Sequence, residues 1–267
     1  MPAASNALPL YIQIAELLIR DIAAGRYLDG ERMPPERDLA ETLGTTVTTL
    51  RKSLNVLEEK KLLKRVQGSG NYVTTRPDVE SVYSFFRVEL IGGGGLPTAQ
   101  LLDVERRPKP AGLPEFGVSD EGHRIRRLRR LSGQPCVLEE IWLDGSYAPR
   151  LRPEDLSESL YLFYREALGL WITRAEDRVG LGAVPDWSVP EFGPARGAPC
   201  AYVERISWAQ DGTRAEVSRN WIDTSLARYV ARLKYQKERG NGASHFLRNS
   251  GLRHDGGRAY SQHCFVA

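Results

Sequence analysis

The chain has 267 residues, 41% of them hydrophobic and 27% charged, and its formal net charge of +3 is too small to name a partner. Its length suits two domains of ordinary size with buried cores. Three scattered cysteines, Cys136, Cys200 and Cys264, are odd in number and show neither CxxC nor Cys/His ligand spacing, which argues against a disulfide framework, against a zinc site and for a reducing compartment. No uncharged apolar run approaches about eighteen residues, and the start lacks a basic segment followed by a long apolar one, so a soluble, cytoplasmic protein without cofactor or metal is expected.

In chain order, residues 9–25 predict a helix with Ile14, Leu17, Leu18 and Ile22 on one face and Gly25 as its stop. A turn containing Gly30 leads to a short helix begun by Pro34-Pro35-Glu36-Arg37-Asp38. Pro35 suits its first turn, and Glu36 and Asp38 suit the positive end of its dipole. Gly44 closes it. The next helix places Val47, Leu50, Leu54 and Leu57 on one stripe and turns Thr48, Lys52 and Asn55 away. Two short apolar runs then flank Gln67-Gly68-Ser69-Gly70, a hairpin with a basic shoulder formed by Lys60, Lys61, Lys64 and Arg65. Charge is uneven: residues 1–43 carry four Arg against seven Asp/Glu, whereas residues 44–75 carry six Lys/Arg against two Glu. Helix, glycine turn, helix and basic hairpin together predict a winged helix-turn-helix.

Leu10-Tyr11-Ile12-Gln13-Ile14, Gly25-Arg26-Tyr27, Pro34-Pro35-Glu36-Arg37-Asp38-Leu39-Ala40, Thr49-Leu50-Arg51-Lys52-Ser53-Leu54 and Gln67-Gly68-Ser69-Gly70-Asn71-Tyr72-Val73 resemble the N-terminal domain of GntR-superfamily bacterial transcription regulators. The resemblance implies a homodimer on a pseudo-palindromic operator, with the second helix of the motif in the major groove and the wing at the minor groove. It also implies Arg37 and Arg51 as principal DNA contacts, with Thr46, Thr48, Thr49, Lys52, Gln67 and Gly68 beside them. Arginine can donate two parallel bonds to guanine, and threonine can reach a base edge or a phosphate. Thr46 serves equally well as an N-cap, and the lysines serve as phosphate attraction or as a solvated face. Val47 stands where the family often has arginine, which leaves the operator free to differ from the family's common core.

A linker is expected at 76–82, where Pro77 ends the strand, and a second domain at 83–234. Strands are predicted at residues 98–106, 124–131, 136–143, 175–181, 201–210 and 215–222, with a helix at 156–168 stopped by Gly169. Hairpins with interspersed helices make this an α+β domain on an antiparallel sheet. Ile125-Arg126-Arg127-Leu128-Arg129, Leu138-Glu139-Glu140-Ile141-Trp142-Leu143, Ser157-Glu158-Ser159-Leu160-Tyr161, Gly197-Ala198-Pro199 with Tyr202-Val203-Glu204-Arg205, and Glu216-Val217-Ser218-Arg219 resemble the UTRA effector domain of the HutC branch, related in fold to chorismate lyase. The resemblance implies a small anionic effector, phosphorylated or carboxylated, held by Thr98, Arg127, Arg129, Glu139, Ser159, Tyr161 and Glu216.

Arg127 and Arg129 alternate on one strand and so share a face, where two guanidinium groups can grip one anion. A basic strand surface paired with nearby glutamates is the competing reading. Ser159 and Tyr161 fit a helix cap and a core aromatic as well as they fit ligand contacts. The stretch Gly92-Gly93-Gly94-Gly95 before Pro97 departs from the family pattern; its amides could wrap an anion, or it could be a mobile loop. Residues 235–267, basic and rich in Gly, Ser and Asn, predict disorder, and His245, His254 and His263 are too far apart for a helical metal pair. The resulting expectation is a ligand-responsive repressor. An enzyme on the chorismate-lyase-like domain and a constitutive DNA-binding protein stand as the alternatives.

Overall fold

The computed structural model describes residues 9–75 and 83–232. The expected linker 76–82, the tail 235–267 with its three histidines, and Cys264 lie outside the described residues.

Three helices and a hairpin form the first part. Helix α1, Leu10–Ala23, buries Ile14, Leu17, Leu18 and Ile22 and ends where Gly25 takes a left-handed conformation. Helix α2, Glu36–Thr42, begins one residue later than its prolines suggested: Pro35 occupies the cap, extended at ψ 141°, and the missing proline N–H costs nothing there. Helix α3, Val47–Glu59, buries Leu50, Leu54 and Leu57 and keeps Thr48, Lys52 and Asn55 exposed, as the stripe demanded. Strands β1, Leu63–Val66, and β2, Gly70–Val73, pair antiparallel as the wing. All of them close over one core with Leu39, Leu62 and Val73, where each fully buried aliphatic side chain contributes about 1.5–3 kcal/mol.

The second part is built on six strands: β4, Pro97–Pro108; β5, Glu121–Leu131; β6, Gln134–Asp144; β7, Ile172–Ala183; β8, Pro199–Ala209; and β9, Arg214–Ile222. They run antiparallel in the order β4-β5-β6-β9-β8-β7, so β4 and β7 are the edges. Every strand expected from the sequence is present, longer by between one residue (β8, β9) and five (β7). The β5–β6 turn is tight because Ser132 and Gly133 both adopt positive φ, the pairing twist of a two-residue hairpin.

Helix α4, Leu160–Leu168, is four residues shorter than expected. Ser159 caps it by accepting from the Leu162 N–H, and residues 153–155 form a separate 3-10 turn. Tyr164, Leu160 and Phe163 of α4 pack on Ile125, Ile141 and Leu143 of one sheet face, while Leu128, Leu138 and Trp221 join Phe192 in a separate cluster. Two three-residue strands escaped the sequence reading: β3, Val88–Leu90, and β10, Ala227–Tyr229, pair antiparallel and tie the start of the sheet domain to its end.

Candidate functional site

The exposed side of α3 and the wing form one surface. Arg37, Thr46, Thr48, Lys52, Gln67 and Gly68 are exposed and Thr49 is half-buried. Arg51 is also exposed, and its Nε donates to Glu36 at 2.6 Å, an ion pair that binds the start of α2 to α3. Thr46 does cap α3: its hydroxyl oxygen accepts from the Thr49 N–H at 3.1 Å. Gly68 sits at the wing tip with φ 72°, open space around it, and the left-handed turn that glycine favours.

Two arginines that sequence reading did not assign as sequence-reading contacts shape this surface. Arg65 donates to Asn55 Oδ1 at 2.6 Å and pairs with Glu58, fastening the wing to α3. Arg32 packs its guanidinium against Gly70, where a Cβ would meet Nε at 2.9 Å. A groove between the start of α2 and the wing runs past Arg32, Pro35, Glu36, Arg65, Gln67 and Asn71.

In the sheet domain, a cavity of about 90 Å³ lies between α4, the sheet and the segment that follows the linker. That is well above the ~10–15 Å³ needed to hold one water. Of the seven expected effector contacts, Arg127, Arg129, Glu139, Ser159, Tyr161 and Glu216 line it. Thr98 does not: it lies on the edge strand β4 opposite Arg130, at the far end of its pairing with β5. The glycine-rich stretch is likewise outside the cavity; it folds into a turn closed by the Gly93 N–H donating to Leu90, and Gly94 leaves room for the guanidinium of Arg26.

Arg127 and Arg129 do grip one carboxylate, and it is the chain's own. Arg127 Nη2 lies 2.6 Å and Arg129 Nε 2.8 Å from Glu139, all three side chains at most 8% exposed. Burial opposes ionisation of Glu139, but the two guanidinium groups override it and hold the carboxyl down at about 2. The competing reading, arginines paired with nearby glutamates, thus holds for Arg127 and Arg129 themselves, and on the other face Arg124 and Arg126 pair with Glu105, Asp103 and Glu140. Strand alternation therefore separates two sets of arginines.

Glu216 behaves oppositely. Burial raises its pKa, although Tyr164 donates to it at 2.7 Å and Tyr161 and Ser207 each at 3.2 Å. Sequence reading missed Arg87, Arg205, Asn220 and Tyr229, which also line the cavity. Arg205 donates twice to Asp177 of β7, at 2.5 and 2.7 Å, and Tyr229 donates to the same carboxylate. The available signal was position: Arg205 lies two residues from Val203 on β8 and shares its face. Four guanidinium groups and two carboxylates line the cavity, and Asp177 behind Arg205 leaves only a small cationic surplus.

An exposed helix and wing joined to a buried polar cavity define a two-part regulator, one part for DNA and one for a small ligand. A family model described as bacterial regulatory proteins, gntR family, matches residues 10–73, and one described as UTRA domain matches residues 93–228. The chain belongs to the gntR family of bacterial transcription regulators, with a UTRA domain as its second part, and it acts as a ligand-responsive DNA-binding regulator. It is 58% identical over 234 residues to the HTH-type transcriptional regulator SmoD of Agrobacterium fabrum, covering 88% of this chain and 100% of that protein. It is 26% identical over 217 residues to the HTH-type transcriptional repressor NagR of Bacillus subtilis, covering 79% and 89%. The fold is similar to the solved ligand-binding domain of a GntR-family transcriptional regulator from Bordetella bronchiseptica, with a TM-score of 0.51 and 25% identity over 56% of this chain and 98% of that one. No described helix is long and apolar enough to cross a membrane.

Proposed function

We propose that the chain is a homodimeric cytoplasmic repressor of the HutC branch, without enzymatic activity, that leaves its operator when a small phosphorylated or carboxylated metabolite occupies the cavity. The observation that carries the ligand class is the pairing of Arg127 and Arg129 with a single carboxylate, beside Arg205 and Arg87. An anion entering there competes with Glu139 for the two guanidinium groups and finds Arg127 Nε without an acceptor. Arg37, Arg51, Lys52 and the three threonines are the DNA contacts in this reading, with Gln67 and Gly68 at the wing. The relative named a repressor supports the sign of regulation.

Dimerisation is assigned to the edge strand β7, where Val179 is 58% and Leu181 86% exposed. An unpaired edge carrying exposed aliphatics is a template for a second strand, and a second copy of this chain would set two heads at half-sites ~34 Å apart or a related separation. The enzyme alternative receives no support from the cavity, whose two carboxylates are each engaged by neighbouring side chains.

The test is a selection of duplexes by the full chain, followed by titration of the selected duplex with a panel of sugar phosphates and small carboxylates. At least one compound should release the DNA and raise the melting temperature of the protein. A chain that binds all duplexes equally at physiological salt sinks the repressor reading; one that no anion shifts is a constitutive DNA-binding protein; turnover of a panel member restores the enzyme.

A further inference from the structure

The segment leaving the head enters the sheet domain as a wall of its cavity. Tyr83, Phe85, Phe86, Arg87 and Val88 line the cavity in succession, in a turn closed by the Phe86 N–H donating to Tyr83 at 2.8 Å. A ligand in the cavity would meet the first described residues of the sheet domain.

Phe86 has a second relation, to two arginines. The guanidinium carbon of Arg129 lies 4.8 Å from the ring centroid of Phe86, and that of Arg20, from helix α1, lies 5.6 Å from the same centroid. One arginine belongs to the cavity and the other to the DNA-binding head. Arg20 is only 3% exposed; Nε and Nη2 are held by Asp21, while Nη1 makes no hydrogen bond. For a buried cation with an unsatisfied edge, an aromatic face is a substantial stabilising contact. Asp21 also binds Arg26, whose guanidinium packs on the Gly93–Gly94 turn, so the head meets the sheet domain through one linked set of charges. Tyr83 lies within the field of both Arg129 and Arg20.

We propose that Phe86 is the positioning residue through which the state of the cavity reaches helix α1, a proposal that rests on the effector reading above. Arg129 divides its interactions between Glu139 and the Phe86 ring. An anion that draws Arg129 towards itself changes the hold on the ring, and the ring in turn changes the hold on Arg20. A ligand shifts such an equilibrium only through contacts that differ between the two states, and this shared ring supplies one.

The experiment is a double-substitution cycle in the full chain with Arg129→Gln and Phe86→Leu, read by amide exchange of Leu10–Ala23 and by affinity for the selected duplex. In the parent chain Arg129→Gln should change α1 exchange and duplex affinity by roughly three- to thirtyfold, the span of a desolvated cation–π contact. In the Phe86→Leu chain the same substitution should change either by less than about twofold. Phe86→Tyr, which keeps the ring, should restore the full effect. Should Phe86→Leu unfold, Phe86→Met takes its place in the cycle, and should Arg129→Gln unfold, Arg129→Lys, which keeps a charge for Glu139 but loses the planar face over the ring, takes its place. Equal effects of Arg129→Gln with and without the ring, or none in the parent chain, overturn the proposal. A chain that selects no duplex removes the repressor reading alone, because the exchange cycle needs neither DNA nor ligand.

Discussion

Replacing Glu139 with glutamine takes away the one carboxylate that two buried guanidinium groups share. Both arginines lie within 2.8 Å of its oxygens, and neither is more than 8% exposed. Glutamine keeps one acceptor oxygen but no charge, and it turns an amide donor towards a guanidinium. Breaking a buried ion pair by removing one partner costs about 3–5 kcal/mol. Titration leads to a similar magnitude: a carboxyl held at about 2 in place of 4.5 corresponds to about 3 kcal/mol. Because the folded-state value is the lower one, this contribution is complete above the unfolded value and is lost as pH falls from about 4.5 towards 2. Urea unfolding of the parent chain and E139Q across this range is the assay. E139Q should be less stable by about 3 kcal/mol at neutral pH, with the gap closing in acid. A gap under about 1 kcal/mol at neutral pH, or one that acid leaves unchanged, refutes the assignment of Glu139 as the ionised partner of both arginines.

Glu216 should respond with the opposite sign. Burial raises its folded-state pKa, so ionising it opposes folding as pH rises through that value, and Glu216→Gln should flatten this limb of the stability profile without lowering stability at neutral pH; a clear loss at neutral pH would contradict it. Thr46→Ala removes the α3 cap and should cost about 1 kcal/mol in denaturant unfolding, while Thr46→Ser keeps it. Arg37→Ala and Lys52→Ala should each reduce the salt dependence of operator binding by about one unit of slope if they touch phosphate, and relax the selected sequence instead if they read a base. Leu181→Lys on the exposed β7 edge should shift sedimentation from dimer to monomer; an unchanged dimer moves the interface elsewhere.

The fold of the head was legible because its helix and turn signals each had one structural meaning. The three- and four-residue spacing of Leu50, Leu54 and Leu57 could only be a buried helical stripe, and Gly44 and Gly68 mark turns that need a left-handed residue. The six long strands were legible from alternation and turn residues. Strands β3 and β10 were not, since three residues give no period, and their pairing joins positions far apart in sequence. The cavity was half legible. Alternation placed Arg127 and Arg129 on one face, but nothing local reveals that Glu139, on the neighbouring strand, neutralises part of their charge. Thr98 came from the resemblance alone, and the observed register sets it on an edge strand beside Arg130, outside the cavity lining. Arg20 and Phe86, which meet across two domains, left no mark in either local pattern.

The short ribbon of Val88–Leu90 with Ala227–Tyr229, reinforced by Arg232 donating twice to Glu89, closes the ligand-sensing half on itself like the clasp of a purse. A module whose entry and exit are stitched together can be exchanged without leaving a dangling strand. A chimera that keeps residues 9–75 and receives another such domain, joined ahead of its own clasp, should fold. It would answer a new ligand only if the graft also brings an aromatic to the place of Phe86. Foldability and responsiveness would then be separable properties of the same graft.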